Sequence, residues 1–470
     1  MAIITVTTTA DSGAGSLRQA IADAHDGDVI LFDTTVFPSG TTTAILLSST
    51  LNVPKNIEIN GDGHVALDGQ NAIRVCAPTA SNGKAAALKG LVIKNGSYTN
   101  GAGVILQYGA PILTDCIIED CVASTSAGGV YAIGSVNATL NNCILRNNVA
   151  DSGGGGLYSS TTSQVTLNDC IITGCTATTN GGGVFLASSG QNTLNDCIIS
   201  NCSATNGGGV FSTISSQNTL NDCSISDCSA TYGGGVFSTN TSQNTLNDCN
   251  ISNCSATNGG GIYAAVTSQN TLNGCTFDVS STVYIISTSG LTISDGITTI
   301  ATATIGAATV TITDGAALTI TDSATIGAAT FTSQGRGYLA TAAGIDTSAA
   351  TLNNVVACAY GAGLMSFTIN DAGAIWTADD LTTTVLLETR DDGGDWDTLA
   401  QAAGGSYVAS FGVGTVARAF DGLRFWVAEI SAYWQVASFV IANNGGGGAG
   451  DAAACWVVEN KTITPNISGV

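Results

Sequence analysis

The chain has 470 residues, with 12 Lys or Arg, 34 Asp or Glu and only 10% charged residues, where an average soluble domain carries about 25%. A formal charge of −22 with so few cations argues against nucleic acid or an anionic membrane as a partner, because phosphate is held by clustered Lys and Arg. A hydrophobic content of 44% is too high for a disordered chain, and no apolar run approaches the roughly 18 residues of a membrane-spanning helix.

Met1-Ala2-Ile3-Ile4 opens directly into a Thr-rich strand pattern, without the basic, apolar and small-residue segments of a secretory signal. A mature or engineered start is expected, or export without such a signal. Leu17, Ala20, Ile21 and Ala24 then share one helical face after Ser12 and Ser16, two candidate N-caps. A short amphipathic helix is expected there, covering the open end of a stack of strands. Strand-like runs at Ile45-Leu46-Leu47, Ile57-Glu58-Ile59 and Leu91-Val92-Ile93 form irregular first coils, completing a segment 1–100.

From 101 to 277 the chain repeats itself. Cys116, Cys143, Cys170, Cys197, Cys223, Cys249 and Cys275 are spaced by 27, 27, 27, 26, 26 and 26 residues. A second column lies five residues later at Cys121, Cys175, Cys202, Cys228 and Cys254, with Asn148 in place of Cys in one repeat. Val104, Val130, Leu157, Val184, Val210, Val236 and Ile262 keep the same period. Each unit holds short β-type runs separated by Asn-Asp, Asn-Cys-Ser and Gly-Gly-Gly, and none is long enough for a helix. Three Gly in a row would cost a helix about 1 kcal/mol each, whereas at a corner they supply positive φ without steric cost. Each repeat is therefore one coil of a β-solenoid, with identical residues stacked about 4.8 Å apart.

At Ser16-Leu17-Arg18-Gln19-Ala20-Ile21, at Gly27-Asp28-Val29-Ile30-Leu31-Phe32, and in the Gly-Gly-Gly-Val-Phe and Asn-Asp-Cys-Ile-Ile words, the sequence resembles a known group. This is the right-handed parallel β-helix of pectate-lyase-like enzymes and of bacterial surface proteins such as polymorphic outer-membrane proteins and autotransporter passengers. The resemblance covers roughly residues 1 to 280. It implies an all-β, right-handed parallel β-helix with an N-terminal capping helix, but this fold serves enzymes, adhesins and fibres alike.

Between 278 and 335 the composition shifts to Thr, Ala and Ile, and Thr304-Ile305-Gly306-Ala307-Ala308-Thr309 recurs at Thr325, which reads as thinner coils. The style changes again near Arg336, beyond which lie all five Trp. Val385 to Thr389, Asp391 to Asp395 and Trp396 make a hairpin pattern, and a β-sandwich-like domain is expected over 336–444. The run Gly445 to Gly448 reads as a linker to a strand-like tail within 445–470.

The cysteine columns suit a narrow interior corner as free thiols; disulfides between coils or chains, and a metal or redox column, are the alternatives. Asp169, Asp196, Asp222 and Asp248 form a carboxylate column, with Asp115 in the same register, read as solvated turn residues with Ca²⁺ ligation as the alternative; no other cofactor is expected. Asn168, Asn195, Asn221, Asn247 and Asn273 read as an amide ladder supporting the turn. Tyr131, Tyr158, Phe185, Phe211, Phe237 and Tyr263 form an aromatic column that is core if it faces in, and a stripe for a partner or sugar if it faces out.

Between Arg146 and Arg336 there is no Lys, Arg, His or Glu, and His25 and His64 are the sole histidines. A catalytic set is therefore not expected on the regular coils, and the chain reads as no enzyme. The function expected is that of an extracellular structural protein, a cell-surface, fibre or filament subunit that associates with itself head to tail. The alternatives are an adhesin or glycan-binding module with a cell-surface partner, and a polysaccharide-degrading β-helix enzyme or phage tailspike.

Overall fold

A computed structural model describes residues 1–79, 85–188, 190–286, 289–295, 297–313, 317–342 and 350–361, and beyond these the strands named below. The chain divides into two compact units, 1–270 with 275–284, and 271–274 with 285–470.

The first unit is a parallel β-solenoid whose coils are built by corners. In the coil around residue 200, the strands Gln191–Asn195, Ile198–Ser200 and Val210–Ser212 form three walls. Each pairs in parallel with its equivalent one coil on, as in Gln191↔Gln217, Ile199↔Ile225 and Val210↔Val236. Alternation sends every second side chain inward. Leu140, Leu167, Leu194 and Leu220 stack on one inner wall, Leu145, Ile172, Ile199 and Ile225 on the next, and Val184, Val210 and Val236 on the third, all at most 1% exposed. Each such side chain contributes about 1.5–3 kcal/mol by leaving water, so a coil is held by contact with its neighbours rather than by a core of its own.

The helix Leu17–Asp23 is capped by Ser16, whose Oγ accepts the Gln19 N–H at 3.2 Å, and it buries Leu17, Ala20 and Ile21 over the first coil. Arg18 ties the helix down, donating from Nε to Asp11 at 2.8 Å and from a terminal nitrogen to Thr50 O at 3.0 Å. The amphipathic face expected from the sequence is thus the face that caps the solenoid.

Only the first Gly of each triplet supplies the corner. Gly207 has φ +63°, while its neighbour Gly208 is needed for close approach: a Cβ there would lie 2.5 Å from Ser229 O and 2.6 Å from Gly234 O. The triplet therefore does two jobs, one conformational and one steric.

In the second unit, Ile297–Ile305 pairs in parallel with Ala317–Ile326, so that Thr304 meets Thr325, and Thr309 meets Thr330. The shorter period seen in the sequence is a shorter coil. Parallel pairing continues from Thr330–Ala342 into Thr351–Gly361, so the break expected near Arg336 falls inside a strand. Beyond this, Thr384–Arg390 pairs antiparallel with Asp397–Ala403, in a five-strand sheet with Gly422–Val427, Ala432–Val436 and Ile463–Asn466. The second layer that a sandwich requires, with the five Trp side chains, lies outside the described residues. Ala452–Val457 pairs with Val440–Gly445, so the strand expected in a tail after the glycine run is paired within its own chain.

Candidate functional site

Both cysteine columns are products of the corners. The residue before each first-column cysteine from Cys116 to Cys249, and before each second-column position, is Asp, Asn or Gly with φ between +50° and +64°. These are the residue types that tolerate the left-handed region. One residue turns the chain, and the next side chain points into the angle, where a small apolar group fits. The thirteen cysteines from Cys76 to Cys275 are buried, and none of them is in a disulfide. The Cys170 thiol lies 3.4 Å from Leu140 O of the preceding coil and 3.3 Å from Asn168 O. The backbone N–H of Gly96 donates to Cys121 Sγ at 3.4 Å. Burial pushes the thiols of Cys76 and Cys121 up to about 12, and contact with Cys175 and Cys228, with burial, raises Cys202 as well. Neutral thiols of this kind are poor nucleophiles and poor ligands.

Asp169, Asp196, Asp222 and Asp248, expected as turn residues or Ca²⁺ ligands, occupy the exposed first corner of successive coils, with Asp115 in the same role. Among the described residues no three of His, Cys, Asp or Glu gather as a metal site. Beside this column the carboxamides of Asn168, Asn195, Asn221 and Asn247 each donate to the oxygen of the preceding Asn, at 2.8, 2.8, 2.7 and 2.6 Å, the series starting at Asn141. A second, buried ladder runs through Asn192, Asn218, Asn244 and Asn270, at 2.9, 2.9 and 3.2 Å, with Ser159, Ser212 and Ser238 bonded to it. Its signal in the sequence is the first Asn of Gln-Asn-Thr-Leu-Asn, two residues from an inward Leu and so on the same face.

The aromatic column stands on the outer side of its strands, since Val210 and Ser212 on either side of Phe211 point inward. It is sheltered all the same: Phe185, Phe211 and Phe237 are 8, 6 and 9% exposed. The rings cover one another, with centroids 4.3 Å apart for Tyr158 and Phe185, 4.9 Å for Phe185 and Phe211, and 5.2 Å for Phe211 and Phe237.

A further column on the outward side of its strands, with the Lys94 and Arg146 side chains 30 and 46% exposed and those of Asp68 and Glu119 each 13%, is invisible to the repeat pattern, because its members belong to different words. Asp68, Lys94, Glu119 and Arg146 are in register on four successive coils. Lys94 Nζ is 3.9 Å from Asp68, and the Arg146 guanidinium holds Glu119 through Nε at 2.7 Å. Two residues earlier on the same strands, and so on the same outer side, Val92, Ile117, Ile144, Ile171 and Ile198 form an aliphatic column. Ile198 is 44% exposed.

The sequence pattern of the right-handed β-helix region matches residues 24–204 and 156–354. The chain belongs to this family, and its solenoid is a right-handed parallel β-helix. Among solved structures it is similar to the crystal structure of a pectate lyase, at 12% identity and a TM-score of 0.35, over 76% of this chain and 79% of that one. No curated protein matches the sequence. The reading of the chain as no enzyme is corrected here: membership of the right-handed β-helix family shows a fold that serves enzymes as well as non-catalytic proteins, and the fold excludes no activity. Among the described residues no helix is long and apolar enough to cross a membrane.

Proposed function

We propose that the chain is an extracellular structural element of a cell surface or fibre, which adds to its neighbours end to end. The observation that carries this reading is the first strand, Ile3–Val6. It pairs in parallel with Val29–Phe32, and among the described residues its other edge has no partner strand. An unpaired strand edge is a template for another chain, and a head-to-tail contact that does not close into a ring continues as a filament. The wall behind that edge is suited to bear load, because amide, thiol and aliphatic ladders join each coil to the next.

Thr5 tests the reading. Val29 N–H donates to Ala2 O, and Asp33 N–H to Val6 O, so the even-numbered residues of the strand serve the inner edge and the Thr5 N–H faces outward. Thr5→Pro removes that donor while sparing the inner pairing. Light scattering of the purified chain is expected to rise with concentration, and to rise much less for Thr5→Pro. Equal scattering by the two proteins would reject the edge as the contact.

A further inference from the structure

We propose that the wall carrying Asp68, Lys94, Glu119 and Arg146 is a lateral interface, on which a second copy of this chain lies antiparallel. The charges alternate along the solenoid axis as minus, plus, minus, plus. A two-fold axis parallel to the strands, passing between the coils of Lys94 and Glu119, reverses this order in the opposing copy. Asp68 then meets the partner's Arg146, and Lys94 meets the partner's Glu119. The ladder is self-complementary in this arrangement. A two-fold along the solenoid axis would instead set the charged column against the aliphatic one.

The corners agree with the same pairing. Asp115 and Asp120 occupy the corners of the Glu119 coil, and Gly90 and Asn95 the equivalent corners of the Lys94 coil. Across the two-fold, Asp115 faces the partner's Gly90 and Asp120 faces the partner's Asn95, so no carboxylate opposes another. The ladder itself is neutral on a chain of net charge −22, and no Lys or Arg occurs from 147 to 335. Beside the charges on the same wall, Ile117 and Ile144 continue the aliphatic column. These half-buried apolar side chains gain a partner by burial against the opposing copy. Under the two-fold the charged ladder spans four coils, from that of Asp68 to that of Arg146. A patch of that length is at the small end of stable interfaces, so the dimer is weak and salt-sensitive.

A charge exchange tests the pairing. Sedimentation equilibrium is run in the Thr5→Pro background, where end-to-end growth is suppressed, at low salt and up to about millimolar protein, with circular dichroism confirming that each variant is folded. The unaltered ladder is expected to form dimers. Arg146→Glu places two carboxylates opposite each other and is expected to weaken dimerisation at least tenfold. Adding Asp68→Lys gives plus, plus, minus, minus, which is again self-complementary under the two-fold, and is expected to restore the dimer although it removes both original ion pairs within the chain. Monomers throughout, dimers indifferent to Arg146→Glu, or failure of the double variant to recover would each overturn the proposal. End-to-end growth that persists in Thr5→Pro is read separately, as oligomers beyond the dimer, and bears on the filament instead.

Discussion

The side-chain oxygen of Asn148 accepts a hydrogen bond from the backbone N–H of Cys121 at 3.1 Å, while its amide nitrogen donates to Ile118 O at 2.9 Å. Asn148 is fully buried in the second cysteine column, and it shows what a residue there must do. It must accept from the corner N–H of the preceding coil and donate to a carbonyl of that coil. Cys121 does the same work with sulfur, accepting from Gly96, and Cys175 reaches Leu145 O at 3.5 Å.

Asn148→Cys is therefore expected to be tolerated, within about 1 kcal/mol of the parent in chemical denaturation. Asn148→Ala leaves the Cys121 N–H and the Ile118 carbonyl without their partner and opens a cavity, for a loss of roughly 2–4 kcal/mol. Equal stability of the Ala and Cys variants would show that the hydrogen bonds contribute nothing.

The buried columns also predict chemical silence. Native protein treated with iodoacetamide at pH 8 should retain unmodified thiols in the peptides spanning Cys116 to Cys275, because burial keeps these groups out of the reagent's reach. The same peptides should label completely in guanidinium. Mass spectrometry reads both states, and native labelling at Cys170 or Cys223 would contradict the inward corner.

Acid should loosen the capped end. The N–H groups of Ala2 and His25 donate to the Asp28 carboxylate at 2.5 and 2.9 Å and hold it below the usual carboxylate range. Because the folded form binds this proton less readily than the unfolded chain, the stabilisation is present above about pH 4 and is lost as the pH falls through and below that value. Asp28→Asn should lower Tm by a few degrees at pH 7, and the gap should narrow by pH 3. A gap of the same size at both pH values would rule out this linkage.

Much of the solenoid is legible because its columns are written in the sequence at one period. Asp196-Cys197 and Asn201-Cys202 mark two corners, and Val210 with Ser212 marks the third wall. Which side of that wall Phe211 occupies is not legible, since three residues of β-type alternate equally well in either phase; the bond from Asn218 to Ser212 decides it. The second and third Gly of each triplet look like corner residues in the sequence, yet their role depends on the carbonyls of the next coil, which only the stacked structure supplies. The charged ladder is hidden for a related reason. Asp68, Lys94, Glu119 and Arg146 share no residue type, so a search for identical columns passes over a column of alternating ones.

Negative-stain electron microscopy of the purified chain, beside Thr5→Pro, tests end-to-end addition most directly. Linear assemblies that lengthen with protein concentration, and that shorten or disappear in Thr5→Pro, are expected. Single particles of one size at every concentration, or filaments unchanged by Thr5→Pro, would contradict the proposal that the Ile3–Val6 edge joins one subunit to the next.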